Sequence, residues 1–417
     1  MVTRRLLLQG TAAGLASGLL PVSSRRAWAQ SGSVRIGVVE SLSGVGAPNG
    51  EARLKGIQVA ADQVNRKGGV LGRPLELVIR DDKYTGSGAA AAARELAGDG
   101  VNLMIAGSQT VTALALLPIL EQLDAVAVGS SAAGMQLTKE LYSPNYFRTC
   151  ANNYTTFTGL GAAIAQTFPE IKKWHVVAFD NDYGRDCFKL FSAAVKEHAK
   201  KRGNAVAIAE PTYSAPSAAD YSISINQIMN SDAEGVFVAL VGAAAITFFQ
   251  QARAVGLDRK VKAFVDVGTE TLIAKAMKSN LPQNFHSLSF WVPASEAAQK
   301  NPLSRQLYED YVAKFKDPNP NGLVIYGHRA LVALTHGIEK AASTDTEAVI
   351  KAMEGLEFET PIGPYRIRKE DHQGIGSIFL SHIVPKQEDP FYEFADVIPI
   401  DEGQVVDPAS PGKAMNG

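Results

Sequence analysis

The sequence predicts an α/β protein built from two successive units, each a parallel sheet with helices on both faces. Short runs rich in Val, Ile and Leu alternate with stretches in which apolar residues recur at helical spacing. The alternation begins at Val34 and starts again at Trp174, with a junction near 147–149. Apolar strands that alternate with helices are typical of buried parallel sheets. The chain has 417 residues, which is too long for one ordinary core and suits two domains.

The first unit is predicted from four strands and the helices between them. The expected strands cover 34–39, 75–80, 101–106 and 126–128, and the expected helices cover 51–66, 89–97 and 112–123. In the helix over 51–66, Leu54, Ile57, Ala61 and Val64 recur at helical spacing. Gly68 and Gly69 follow this helix, as C-terminal capping glycines commonly do.

The second unit repeats the same order of elements. Its expected strands cover 174–179, 206–209, 235–240 and 261–265, and its expected helices cover 185–201, 223–229 and 244–255. Residues 292–417 then carry predicted helices over 303–316 and 324–339, followed by β-like pieces around 361–367 and 378–380. This last part is too short for a third domain, and we expect the first two to share it.

The first thirty residues predict export. Arg4 and Arg5 precede an apolar stretch that runs to Leu20, and Ala27-Trp28-Ala29 forms a small-x-small cleavage triplet. This order is typical of a secretion signal, and the paired arginines resemble the twin-arginine class. A membrane anchor would need about 20 apolar residues, roughly twice the length of this run. We therefore expect cleavage near Ala29 and a periplasmic protein, with no lipid anchor because Gln30 rather than cysteine follows.

Charge excludes two classes of partner. Residues 1–29 carry four arginines and no acidic residue, so 37 cationic side chains face 42 anionic ones after cleavage, a formal charge of −5. No block of basic residues is present. Binding to nucleic acid or to an anionic lipid surface depends on such blocks, so neither partner is expected.

Motifs for cofactors, metals and catalysis are not found in the sequence. No phosphate-binding loop, G-x-S-x-G, H-E-x-x-H or C-x-x-C occurs, and the seven histidines do not pair at metal-ligand spacing. Gly44-Val45-Gly46 follows the first strand but lacks the third glycine of a dinucleotide-binding turn. Cys150 and Cys187 could form a disulfide or remain as buried thiols. The sequence therefore predicts a protein that is not an enzyme and uses neither cofactor nor metal.

Polar, uncharged residues follow the predicted strands of the first unit. Ser108, Gln109 and Thr110 come after the third strand, and Ser130 and Ser131 come after the fourth. Because ligands of open parallel sheets bind outside the carboxyl ends of the strands, these hydroxyls are candidate ligand contacts. The alternative is that they only cap the helices that follow. The presence of two such clusters at equivalent turns favours ligand binding.

Two acidic residues at another strand end receive a different interpretation. Asp81 and Asp82 follow the second strand directly and could be catalytic. Aspartates directly after a strand more often accept backbone N–H groups and form the turn. We expect that structural role for both.

Several stretches resemble a known family. They include Asn65-Arg66-Lys67-Gly68-Gly69-Val70-Leu71-Gly72-Arg73-Pro74, Asp182-Tyr183-Gly184 and Gln251-Ala252-Arg253-Ala254-Val255-Gly256-Leu257. With Arg80-Asp81-Asp82 and Phe147-Arg148-Thr149 they keep the spacing of the leucine/isoleucine/valine-binding type of periplasmic solute-binding protein, which serves ABC importers. The resemblance runs from about Val34 to beyond Gly363.

The resemblance implies a periplasmic binding protein fold of type I. In that fold two doubly wound, Rossmann-like lobes are joined by a three-segment hinge, and the ligand lies in the cleft between them. We expect lobe 1 to consist of residues 30–148 and 292–375, and lobe 2 of 149–291 and 376–417. The implied function is a receptor without catalysis that captures a small solute for an ABC transporter permease as a monomer. A periplasmic sensor with the same cleft is the alternative.

The resemblance also implies roles for individual residues. The carboxylate-binding hydroxyl of the family corresponds to Thr110, and its backbone-and-hydroxyl pair falls within 130–133. The aromatic residue that closes from lobe 2 corresponds to Tyr183, and the residue that lines the side-chain pocket lies near Asn49.

One departure from the family pattern concerns the ammonium site. The acidic residue of the amino-acid binders corresponds most closely to Asp266, which is shorter and displaced. A second aromatic residue is replaced at Gly242 by a glycine followed by alanines, so Tyr154 is expected to line a roomier cavity. Both changes leave room for an amide, a short carboxylate or an aromatic acid in place of an amino acid.

Overall fold

The computed structural model describes residues 32–414, and the predicted signal over 1–29 lies outside them. The strands are β1 Val34–Glu40, β2 Leu75–Asp81, β3 Leu103–Ile105, β4 Val126–Gly129, β5 Tyr146–Arg148, β6 Lys173–Phe179, β7 Ala207–Ile208, β8 Thr212–Ser214, β9 Gly235–Ala239, β10 Ala263–Asp266, β11 Phe285–Ser289, β12 Glu357–Thr360, β13 Gly363–Ile367, β14 Gly374–Ile375, β15 Ser377–Pro385 and β16 Tyr392–Asp401. The α-helices are α1 Ala47–Arg66, α2 Gly86–Gly98, α3 Thr110–Leu116, α4 Asn153–Thr167, α5 Asp182–Lys201, α6 Ser222–Met229, α7 Ala243–Ala254, α8 Leu257–Lys260, α9 Glu270–Met277, α10 Glu296–Lys300, α11 Pro302–Phe315, α12 Val324–Ala341 and α13 Thr346–Met353.

The first sheet is parallel throughout and has the strand order β2-β1-β3-β4-β5. Its direction of winding reverses between β1 and β3. Side chains alternate between its two faces, so Ile36 and Val38 of β1 join one buried cluster while Val39 joins another. This arrangement confirms the doubly wound α/β unit predicted for the first half of the chain.

The second sheet repeats the topology of the first. Its parallel strands run in the order β7-β6-β9-β10-β11, with β8 also paired to β6, and the winding reverses between β6 and β9. The antiparallel strands β15 and β16 extend it beyond β11. Buried clusters cover both faces, because Val176 and Val177 of β6 belong to different ones. The C-terminal strands thus complete the second unit.

The chain passes between the two units three times. One passage links β5 to β6, a second links β11 to α12, which packs on α1, and a third links β14 to β15. The short antiparallel sheet β12-β13-β14 precedes the third passage. Two doubly wound lobes with a three-segment hinge are therefore present, as the sequence predicts.

One predicted helix is wrong in its second half. The helix expected over 112–123 is α3, which begins at Thr110 and ends at Leu116. Pro118 has no backbone N–H, and its ring disfavours helical geometry in the preceding residue. Residues 117–124 form turns instead.

Both cysteines are buried thiols. The sulfur of Cys150 donates a hydrogen bond to the carbonyl oxygen of Ala132 at 3.5 Å. Cys187 lies in α5, and burial raises the pKa of its thiol well above the usual value.

Among residues 32–414, no helix is both long and apolar enough to cross a membrane.

Helices α1 and α12 cross at two glycines. A Cβ atom on Gly56 would lie 2.0 Å from the carbonyl oxygen of Val324, and one on Gly327 would lie 1.9 Å from the carbonyl oxygen of Arg53. Neither distance is possible for non-bonded heavy atoms. The contact of α1 with α12 therefore requires glycine at both positions.

Gly327→Ala should destabilise the protein by about 1–3 kcal/mol, because the added methyl group forces the helices apart. Gly98→Ala is the matched control, since Gly98 ends α2 and a Cβ there meets no atom within 4 Å. Urea denaturation followed by circular dichroism should show the loss only in the first variant. Equal midpoints for the two variants would contradict the close helix contact.

Candidate functional site

The carboxyl ends of strands from both sheets meet at one place. Tyr84 follows β2 and Tyr183 follows β6, and their phenol groups are close enough to interact electrostatically. Ligands of doubly wound sheets bind at this edge, where the winding reverses. The candidate site therefore lies between the two lobes, with β1 and β3 on one side and β6 and β9 on the other.

A buried ion pair forms the base of the site on the first sheet. Glu40 is the last residue of β1, and Arg53 comes from α1; both side chains are fully buried. The guanidinium Nη2 donates to Glu40 Oε2 at 2.9 Å, and Nε donates to Oε1 at 3.1 Å. The hydroxyl of Ser130 donates to the same Oε1 at 3.2 Å. Ser130 therefore lies at the predicted strand end, but it contacts a carboxylate of the protein.

The turn after β2 is built by the two aspartates. Asp81 accepts hydrogen bonds from the backbone N–H groups of Leu42 and Lys83, and Asp82 accepts them from the Ser41 hydroxyl and the Tyr84 backbone N–H. These bonds match the structural role expected for both residues. They also hold Lys83 and Tyr84 in the left-handed region, at φ 56° and 60°.

The three residues Ser108, Gln109 and Thr110 after β3 differ in whether they already take part in hydrogen bonds. Ser108 is buried, and its hydroxyl has no hydrogen-bond partner among residues 32–414. Gln109 precedes α3, and its backbone N–H donates to the Thr112 hydroxyl at 3.1 Å, so this position is a helix cap. Thr110 is half-buried, and its hydroxyl accepts from the Gly134 backbone N–H at 3.0 Å. Of the three, Ser108 has its full hydrogen-bonding capacity left for a ligand.

Ser131 is half-buried and begins a loop over 131–134, in which the carbonyl oxygens of Ala133 and Gly134 accept hydrogen bonds. Arg148 donates to the carbonyl oxygen of Gly134 at 2.5 Å, and the Asn153 backbone N–H donates to that of Ala133 at 2.8 Å. The half-buried Tyr154 follows in the first turn of α4. The structure thus brings the loop after β4 into direct contact with the start of α4, where Tyr154 lies.

Tyr183 lies in the first turn of α5, whose N-cap Asn181 accepts from the Gly184 backbone N–H at 3.0 Å. Its ring packs edge-on against Phe157 with the centroids 5.8 Å apart. Burial, together with nearby Cys187 and Asp266, raises the pKa of the phenol well above its usual value. Tyr183 is therefore a neutral hydroxyl that can donate or accept a hydrogen bond at the cleft.

Asp266 ends β10 and is fully buried. It accepts hydrogen bonds from the Thr269 backbone N–H at 2.6 Å and from the Ser287 hydroxyl at 2.9 Å. Burial raises the pKa of this carboxyl from its ordinary value to about 7, although these hydrogen bonds oppose the rise. Asp266 is thus partly protonated near neutral pH.

A second carboxyl group, Glu270, lies beside Asp266 and was missed in the sequence. Glu270 begins α9, is buried, and is joined to Asp266 through the hydroxyl of Ser287. Burial and the charge of Asp266 raise its pKa to about 8. The available signal was its position at the start of the helix that follows β10, four residues after Asp266. Two carboxyl groups, rather than one displaced aspartate, therefore stand at this strand end.

Asn49 lies in the first turn of α1 and is half-buried. The next residue, Gly50, packs so closely that a Cβ there would lie 1.9 Å from the Ser41 carbonyl oxygen. This contact holds the start of α1 against the turn after β1.

Within residues 32–414, no group of three or more His, Cys, Asp or Glu side chains is arranged so that it could hold a metal ion.

The comparisons with known proteins identify the family. The model of the periplasmic binding protein family matches residues 33–388. The chain belongs to the periplasmic binding protein family. A leucine-, isoleucine-, valine-, threonine- and alanine-binding protein of Pseudomonas aeruginosa is 25% identical over 337 residues, which cover 79% of this chain and 84% of the relative. A Leu/Ile/Val-binding protein homologue of Brucella melitensis is 26% identical, over 79% of this chain and 86% of its own.

Solved structures support the fold of this periplasmic binding protein. The closed form of a leucine-, isoleucine-, valine-, threonine- and alanine-binding protein from Brucella ovis superposes with a TM-score of 0.77 at 18% identity, over 92% of this chain and 99% of that one. A solute-binding protein from R. palustris in complex with benzoate gives 0.73 at 18% identity, over 91% and 99%. At these identities the likeness concerns the fold alone.

The two raised pKa values predict how stability depends on pH. In the unfolded chain both acids ionise near pH 4, whereas in the folded protein they ionise at about 7 and 8. Between these limits the unfolded state binds fewer protons, so rising pH lowers the free energy of unfolding. Asp266→Asn removes one of these groups. The free energy of unfolding of this variant minus that of the parent should therefore rise by about 2–3 kcal/mol between pH 5 and pH 8.

Urea titrations at the two pH values measure this difference. Asp401→Asn removes a carboxylate from an exposed position at the end of β16 and controls for the loss of one negative charge. A constant difference between Asp266→Asn and the parent across the two pH values would show that Asp266 ionises normally.

Proposed function

We propose that this chain is the extracytoplasmic receptor of an ABC importer and captures a small organic solute between its two lobes. The lobes divide as 30–148 with 292–375 and 149–291 with 376–417. After export and cleavage near Ala29, the monomeric receptor delivers its solute to the permease subunits of the transporter. The solute is an amino acid, an amide or a small carboxylic or aromatic acid.

One observation carries this proposal. Hydrogen-bonding groups of the first lobe lie at the same strand-end edge as Tyr84, and among them the hydroxyl of Ser108 has no partner within the described residues 32–414. Tyr84 in turn lies near Tyr183 of the second lobe. A small molecule enclosed there contacts both lobes, and its binding favours the closed arrangement by hinge motion. The relative from Pseudomonas aeruginosa, a leucine-, isoleucine-, valine-, threonine- and alanine-binding protein, supports the same type of function.

The distribution of charge favours a solute that carries an ammonium group. Asp266 and Glu270 form a buried carboxyl pair. The ion pairs found among residues 32–414 give neither group a cationic partner. A buried carboxylate is stable only with a counter-charge or a proton. An ammonium group supplies that charge, while Ser108, Thr110 and Ser131 supply hydroxyls for a carboxylate at the other end.

A thermal-shift screen tests the class of solute. L-isoleucine, L-alanine, acetamide, butyrate and benzoate are added to the purified protein, because a ligand of the native state raises the melting temperature by mass action. The amino acids should give the largest shifts. Shifts with benzoate or butyrate alone would disprove the ammonium assignment, and turnover of any compound would argue for an enzyme.

Ser108→Ala and Ser131→Ala should each weaken binding of the best compound about ten- to a hundredfold, because each removes a hydroxyl from a desolvated site. Ser295→Ala is the matched control, since the hydroxyl of that serine caps α10 by accepting from the Ala298 backbone N–H. Calorimetric titration measures the three affinities. If all three variants bind like the parent, the hydroxyls after β3 and β4 are not ligand contacts.

A further inference from the structure

The segment over 405–414 returns from the second lobe to the first. Strand β16 belongs to the second sheet, and the segment over 405–414 follows it. Within that segment the Gly412 backbone N–H donates to the carbonyl oxygen of Lys139 at 2.8 Å. Lys139 directly follows the short turn Met135–Thr138, which lies between β4 and β5 of the first sheet. The family match ends at residue 388, so this tail segment lies beyond it.

Asp407 anchors the tail in a buried polar cluster. Its carboxylate forms an ion pair with Lys139, and the side chains of both residues are essentially inaccessible. Lys139 Nζ also donates to the Pro408 carbonyl oxygen at 2.7 Å and to the Ser410 hydroxyl at 3.1 Å. Arg368 donates to the carbonyl oxygen of Asp407 at 2.7 Å. The tail is therefore attached to the first lobe by polar contacts between Asp407 and Gly412.

The same carboxylate reaches the start of α4. Asn152 Nδ2 donates to Asp407 Oδ1 at 2.6 Å, while Asn152 Oδ1 caps the helix by accepting from the Thr155 backbone N–H at 2.8 Å. Asn152 is fully buried and holds these two bonds at once. Asp407 thus joins Lys139, next to the loop after β4, to the first turn of α4.

This first turn also touches both sides of the candidate site. The Asn153 backbone N–H bonds to the Ala133 carbonyl oxygen, and its side-chain amide donates to Asp186 Oδ2 at 3.2 Å. Ala133 lies in the loop that carries Ser131, and Asp186 lies one turn beyond Tyr183 in α5. The position of the first turn of α4 therefore sets the spacing between the first-lobe loop and the second-lobe aromatic residue.

We propose that Asp407 is a positioning residue: through Lys139 and Asn152 it holds the loop over 131–134 and the first turn of α4 at the spacing that ligand contact requires. The inference rests on the proposed function, because the loop matters only if its hydroxyls contact a solute. The cluster itself is testable without any solute. A charge at this position matters because removing one partner of a buried ion pair leaves the other unpaired.

Asp407→Asn tests the positioning role in the unliganded, full-length protein. Hydrogen–deuterium exchange read by mass spectrometry should rise about tenfold or more in residues 132–141 and 152–156, since local opening governs exchange there. Exchange in the central strands β1 and β9 should stay at the parental rate. Asp401→Asn should leave all these segments unchanged, because the side chain of Asp401 accepts hydrogen bonds from Gly403 and Gln404 in the turn that follows β16.

A second variant separates positioning from general stability. Asp407→Leu combined with Lys139→Met replaces the ion pair by apolar side chains, a change that often restores or improves stability. The melting temperature should return toward the parental value, while exchange in 152–156 remains raised because Asn152 has lost its partner. If the double variant restores slow exchange there, or if Asp407→Asn raises exchange uniformly through both sheets, Asp407 has only a structural role. Since no solute is present, these outcomes are independent of whether the screened compounds bind.

Discussion

The buried pair of Glu40 and Arg53 is the interaction on which the first side of the cleft depends. Its two charges lie in a fully desolvated place, so each is tolerable only because the other is present. Arg53 also lies where α1 meets Gly327 of α12, and Glu40 receives the hydroxyl of Ser130. The end of β1, the crossing of α1 with α12 and Ser130 after β4 are thus joined through two side chains, and a change in either would move all three.

The two sides of the cleft differ in charge for a physical reason. On the first lobe the buried acid Glu40 is compensated by Arg53, and the strand ends present hydroxyl groups. On the second lobe Asp266 and Glu270 share the Ser287 hydroxyl, and burial holds the pKa of both well above the ordinary range. The proposed solute, with an ammonium group at one end and a carboxylate at the other, is therefore expected to have one favoured orientation between the lobes.

Sequence patterns found those parts of the site that depend on local rules. Ser108 and Ser130 were located because polar residues directly after apolar parallel strands come to the ligand-binding edge. Arg53 was not found, because its side chain is one of many along a long helix and only the helix crossing directs it to Glu40. Glu270 was missed because it matters only as a buried neighbour of Asp266, and both side chains are removed from water only in the folded core.

By itself, the sequence determined the two-unit α/β architecture and the set of hydroxyls at the strand ends, because periodicity and turn chemistry act over short distances. The tertiary structure alone decided which of those hydroxyls remain unpaired, the pairing of Asp266 with Glu270, and the contact of Asp407 with Asn152 across 255 positions of the chain. Desolvation and hydrogen-bond satisfaction are properties of the packed interior, so they cannot be assigned until distant segments occupy the same space.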